Sequence, residues 1–142
     1  MKDTDLAYIA GFMDGEGSIM GVNRYRSSGT RSACPESLLS IRTAIAQNDI
    51  EVLQWMQELF GGVGHIKVVS QNDNYTCYSW ELSGKSVGIL LSALHPHLKR
   101  LKEKATAALM FCDTLEWSGG KPLTEEIKRL RQISWRRLKQ CA

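Results

Sequence analysis

Ala7, Gly11 and Gly15 recur at a spacing of four within Leu6-Ala-Tyr-Ile-Ala-Gly-Phe-Met-Asp-Gly-Glu-Gly-Ser18, and nothing else in the chain constrains its fold as strongly. On a helix these three residues share one face. A face almost without side chains lets a second helix approach nearly backbone to backbone. Leu6, Ile9 and Met13, joined by Phe12, form an apolar face suited to docking on the chain's own core. The run closes on Asp14-Gly-Glu16-Gly17, where glycine permits departure from helical geometry. Asp14 and Glu16 therefore sit at the negative end of the helix dipole. That placement costs about 0.3–1 kcal/mol per exposed charge, and a cation reverses its sign.

Length and charge set the bounds. At 142 residues the chain suits a single domain, 1–142, with a core unit over 1–117 and a linker and last helix over 118–142. No apolar run approaches membrane-spanning length and no signal-peptide pattern opens the sequence, so an intracellular protein without membrane contact is expected. Cys34, Cys77, Cys112 and Cys141 have no paired spacing, which fits reduced thiols. A net charge of +3 says little about partners, but basic residues cluster at 24–31, 99–104 and 128–139. His95-Pro-His97 lacks a third ligand at a telling spacing, and the proline makes it a turn rather than a zinc site.

After the first helix, 18–26 alternates as a strand, with Met20, Val22, Arg24 and Arg26 on one face and Ile19, Gly21 and Tyr25 on the other. Turn formers at 27–36 predict a loop. A second strand over 37–47 places Leu39, Ile41 and Ile45 inward and Ser40, Arg42, Ala44 and Ala46 outward. Asn48 with Glu51 resembles a capping box for a helix carrying Ile50, Leu53, Trp55, Met56 and Leu59, ended by Gly61-Gly62. A hairpin over 65–70 and 75–82 follows, turning at Gln71-Asn-Asp-Asn74. Trp80 and Leu82 face in; Cys77, Ser79 and Glu81 face out, opposite His65, Lys67 and Val69. Helices are predicted over 85–94, 98–117 and, capped by Thr124, to about 139. In the last, Ile127, Leu130 and Leu138 are expected inward.

Ile9-Ala-Gly-Phe-Met-Asp-Gly-Glu-Gly17 resembles the signature of the LAGLIDADG homing endonuclease family, with conservative changes only. The element order matches too. The resemblance implies an α+β, αββαββα fold with a saddle-shaped antiparallel sheet and additional C-terminal helices. Members with one copy of the motif are homodimers, and this chain has no internal repeat, so a second chain is expected to supply the second half-site. Paired motif helices would then meet through Ala7, Ala10, Gly11, Asp14 and Gly15, with Asp14 in a structural, bracing role. The resemblance makes Glu16 the catalytic and metal-binding carboxylate, with the Gly15 carbonyl beside it. Gln47 takes the place of a residue that orders water at the scissile phosphate. Lys102 matches the family's basic residue from a later helix, and Lys104 is the alternative register. Two departures stand out: Glu16 replaces Asp, and Glu51 stands where some relatives have a second basic residue.

Such a sheet can cover its core with one face and leave the other free. An eleven-residue strand spans about 36 Å, roughly one turn of duplex. Double-stranded DNA is the expected partner, contacted by Arg24, Arg26, Ser40, Arg42, Lys67 and Ser79, with Arg31 from the loop. Hard oxygen ligands favour Mg²⁺, with Ca²⁺ or Mn²⁺ as substitutes for binding or activity. The implied reaction is hydrolysis of both strands of a near-palindromic site. A non-cleaving DNA-binding regulator and an RNA maturase using the basic helix over 128–139 are the rival readings on the same fold.

Overall fold

The computed structural model describes residues 1–23, 39–115 and 122–141. Helix α1 (Asp3–Glu16) opens with Asp3 and Asp5 in its first turn, where acids suit the positive end of the dipole. Its inward face is Ile9, Ala10 and Met13, all fully buried. Gly17 ends it in an extended conformation (φ −96°, ψ 167°) and is also the first residue of strand β1 (Gly17–Asn23), so helix passes into strand without a loop. A Cβ at Gly17 would stand 2.7 Å from the Met13 carbonyl oxygen, which makes glycine a steric requirement there.

Strand β2 (Leu39–Gln47) pairs antiparallel with β1 in the register Gly17↔Ile45. Helix α2 (Ile50–Leu59) then crosses to a hairpin of β3 (His65–Gln71) and β4 (Thr76–Ser83). The four strands lie in the order β1-β2-β4-β3, all neighbours antiparallel. Helix α3 (Lys85–Leu94), a single 3-10 turn at His95–His97, α4 (Lys102–Leu115) and α5 (Glu125–Gln140) complete the described chain. This is the expected αββαββα order with two further helices.

Period-two burial makes the sheet two-sided. Ile19, Ile41, Ile45, Trp80 and Leu82 meet Leu53, Met56, Val87, Leu91, Leu101, Ala105 and Phe111 in one core. Each large side chain so buried contributes about 1.5–3 kcal/mol. Thr43 also lies on this face, fully buried, and its hydroxyl is satisfied by donating to the Ser18 carbonyl at 2.9 Å.

Several local expectations are corrected. The N-cap of α2 is Asp49, not Asn48: its carboxylate accepts from the Glu51 amide at 3.0 Å. Trp55 is 36% exposed rather than core, and it meets the Tyr8 ring edge-on with centroids 5.6 Å apart. The last strand pair is irregular at Val69, which falls between Val68↔Tyr78 and Ser70↔Cys77 and so does not continue the row of His65 and Lys67. Helix α4 starts at Lys102 because Leu98 to Leu101 form a turn.

Helix α5 is capped by Thr124 as expected, its hydroxyl accepting from the Ile127 amide at 3.2 Å. Its inward face is different, however. Leu130 is 42% exposed, while Arg131 and Ser134 are buried with Leu138. The Arg131 guanidinium donates to the Thr114 hydroxyl (3.0 Å) and carbonyl (3.2 Å), which satisfies a charge that sequence periodicity would place in solvent. Trp135 lies over Gly21, and its indole nitrogen donates to the Ser40 carbonyl at 3.2 Å.

Candidate functional site

The end of α1 is fastened to the start of α4. The Asp14 carboxylate accepts from the backbone amides of Lys99 (2.8 Å) and Leu101 (3.0 Å), and its own carbonyl accepts from the Arg100 guanidinium at 2.7 Å. Burial alone would raise the Asp14 pKa. The amides of Leu101, Lys99 and Arg100, with the Arg100 charge, outweigh it and hold the carboxyl below its ordinary value. The Asp14 carboxylate, expected to brace paired helices, finds these two backbone partners within its own chain.

This clamp brings Lys102, exposed at the first residue of α4, to the same region as Glu16, two residues beyond Asp14 and exposed. Lys104 is separated from Lys102: it lies half-buried in a cleft with Ile19, Met20, Gly21, Leu138 and Lys139. Gln47 ends β2, and the register Gly17↔Ile45 sets the end of β2 beside the end of α1. Its side-chain oxygen accepts from the following Asn48 amide at 2.8 Å. The end of α1, the end of β2 and the segment leading into α4 are thus neighbours at one end of the sheet, and they carry Glu16, Gln47 and Lys102.

The outward face of α1 carries Ala7, Gly11 and Gly15, all exposed. Ala10 is not part of it, being wholly buried against the chain's own core. A Cβ at Gly11 or Gly15 would meet nothing within 4 Å. The chain's own packing therefore gives no reason for glycine at either position, although each costs about 1 kcal/mol of helix stability relative to alanine.

Among the described residues no group of three His, Cys, Asp or Glu could hold an ion. Glu16 supplies a free-standing carboxylate, and the Gly15 carbonyl lies in the last helical turn, where no intrahelical amide reaches it. These are hard oxygen donors that fit Mg²⁺ or Ca²⁺ once further oxygens join them. His95 and His97 lie in the 3-10 turn, with His95 Nε2 2.8 Å from the Thr106 hydroxyl.

The sheet face away from the helices carries Arg42 and Lys67, with side chains 42% and 49% exposed. Ser40 and Ser79, expected as contacts from that face, have only 6% and 4% of their surface accessible. Arg24, Arg26 and Arg31 lie outside the described residues. Glu81 is the feature sequence reading gave no role. Alternation put it outward, but its ion pairs to Arg42 (3.5 Å) and Lys67 (2.7 Å) depend on cross-strand register.

The described sheet face thus carries Arg42 and Lys67, and the exposed acid Glu16 stands at the end of α1. Residues 9–114 match the family model described as LAGLIDADG endonuclease, and the chain belongs to that family. No curated protein sequence matches the chain. Among solved structures, the homing endonuclease I-CvuI, crystallised with the I-CreI target in the presence of Mg and with its DNA not cleaved, shares 16% identity at a TM-score of 0.62; the match covers 98% of this chain and 97% of that one. The archaeal intron-encoded homing endonuclease I-Vdi141I, complexed with DNA, shares 16% at 0.63, covering 96% and 98%. I-GzeII, bound to its DNA target, shares 15% at 0.69 over 96% of this chain, which spans only 44% of that protein. At such identities the likeness is one of fold. No helix among the described residues is long and apolar enough to cross a membrane.

Proposed function

We propose that this chain is a site-specific homing endonuclease that acts as a homodimer and hydrolyses both strands of a near-palindromic DNA site with Mg²⁺. The observation that carries the reading is the exposed Glu16 at the tip of a helix whose outward face is Ala7, Gly11 and Gly15. Two such helices packed through those residues bring two acids together at the dyad, each at the edge of a sheet that follows one half-site. The solved relatives crystallised with DNA, in the presence of Mg in one case and Ca in another, support the substrate and metal class.

Glu16 and the Gly15 carbonyl would hold the ion. Bound there, a hard divalent cation would supply a lowered pKa for coordinated water and positive charge beside the phosphate. Gln47 orients water through its amide. Lys102 sets its ammonium against the negative charge that grows on the phosphate oxygens. Asp14 holds the Lys102 segment in register with Glu16. On the sheet, Arg42 and Lys67 contact the duplex, joined in this proposal by Arg24, Arg26 and Arg31. Ser40 and Ser79 contribute little surface.

The test is selection on a randomised, near-palindromic duplex library in Mg²⁺ and in Ca²⁺. Sequence-specific binding in both, with cutting in Mg²⁺, supports the proposal. Specific binding without cutting in Mg²⁺ or Mn²⁺ would replace it with a DNA-binding regulator.

A further inference from the structure

Glu81 is a carboxylate almost sealed into the face that meets a polyanion. It is 6% exposed, and it shares with Arg131 the distinction of being a buried charged residue among those described. Arg131 is explained by Thr114; Glu81 is not explained by the core, because it points away from it. Across the sheet it stands opposite Ala44 on β2 and His65 on β3. Arg42 lies toward one end of β4, opposite Ser83, and Lys67 toward the other, opposite Ser79. The two cations therefore reach the carboxylate diagonally from opposite sides, Arg42 through Nη1 to one oxygen and Lys67 through Nζ to the other. Both keep about half of their side-chain surface open, at 42% and 49%.

On electrostatic grounds alone an acid here weakens attraction to phosphate. Its compensating effect is on order. Arg and Lys are the side chains with most rotamer freedom to lose, and fixing them before binding removes that loss from the binding step. Arg42 Nη1 is ion-paired to Glu81 at 3.5 Å and its Nε is buried without a hydrogen-bond partner, so the donors left for a base edge are those of the two Nη groups. An untethered guanidinium follows the nearest phosphate.

We propose that Glu81 is a specificity-determining positioning residue: it aims Arg42 and Lys67 off the open sheet face so that they read base edges instead of collecting phosphates. The inference rests on the DNA endonuclease reading above. Because the carboxylate itself is withdrawn from the surface, it acts through the two cations.

The experiment compares the full chain with Glu81→Gln and Glu81→Asp. The sequence enriched by the unaltered protein in Ca²⁺ is the specific probe, and random-sequence duplex is the competitor, over a range of salt. Glu81→Gln removes the charge and should tighten random-sequence binding severalfold while the specific-to-random ratio falls about tenfold or more. Its log affinity against log salt should steepen by about one. Glu81→Asp keeps the charge but shortens the arm. It should leave the salt slope unchanged and still lower the ratio. An aspartate variant with full discrimination would reduce Glu81 to simple charge subtraction and overturn the proposal. So would unchanged ratios in both variants. If Glu81→Gln fails to fold, Arg42→Lys decides: relaxed preference at one base position per half-site supports the proposal, and uniform weakening at all positions overturns it. Enrichment of no sequence by the unaltered protein would overturn the endonuclease reading and this inference together.

Discussion

Replacing Asp14 by alanine removes the acceptor for two backbone amides, those of Lys99 at 2.8 Å and Leu101 at 3.0 Å. Hydrogen bonds to a charged acceptor contribute about 1.5–3 kcal/mol each, and helix-start caps about 0.5–2. Asp14 is only half-buried, so the lower part of these ranges applies and the pair is worth about 2–3 kcal/mol. At about 4 °C per kcal/mol for a domain of this size, Tm should fall by roughly 8–12 °C. Asparagine keeps one acceptor oxygen and no charge, so Asp14→Asn should lose about half as much. The acid limb supplies the second readout. The folded carboxyl titrates below its ordinary value of 3.8. Its contribution is therefore complete above that value and disappears as pH falls through the folded pKa. The unaltered protein should lose stability relative to Asp14→Ala only in that acid range, with the difference constant above about pH 5. Urea titrations from pH 2.5 to 7 measure both quantities. A loss below about 0.5 kcal/mol, within the range of ordinary surface substitutions, or parallel acid limbs, would refute the clamp.

Glu16→Gln should abolish cutting in Mg²⁺ and leave specific binding within about threefold, read by nicking assays and gel shift; normal cutting would remove Glu16 from the site. Gly11→Leu should fold normally, since a Cβ there meets nothing within 4 Å. It should sediment as a monomer, against the dimer proposed for the unaltered chain, and an intact dimer would place the interface elsewhere. Gly21→Val puts atoms where a Cβ already stands 2.7 Å from the Trp135 indole nitrogen. It should cost about 1–3 kcal/mol by overpacking and alter Trp fluorescence as α5 shifts, and an unchanged denaturation midpoint would contradict that packing.

The legibility of this chain follows the range of the forces involved. Helix α1 reads directly from the sequence because Ile9 and Met13, four apart, set its buried side. The face carrying Ala7, Gly11 and Gly15 is the complement. Glu16 was visible as an acid at a helix end with no local partner. What escaped depends on contacts across long sequence separations. The partners of Asp14 lie 85 and 87 residues away, and no local pattern announces them. In α5 the apolar periodicity favours Leu130, yet Arg131 turns inward because Thr114 on α4 offers it two acceptors. Ser40 and Ser79 sit on the expected face of their strands, but alternation assigns a face and not an exposure. Asp49 displaced Asn48 as the cap by one residue, a difference that side-chain chemistry alone does not resolve.

Gly17 is both the close of α1 and the opening of β1. The helix that carries Glu16 and the first strand of the sheet are therefore one continuous rod. A residue inserted at that joint would rotate every later side chain of β1 to the opposite side of the sheet. On the proposed function, side chains along the strands could change while the spacing from Glu16 to the first residues of β1 stays set by a joint at which a Cβ would come within 2.7 Å of the Met13 carbonyl oxygen.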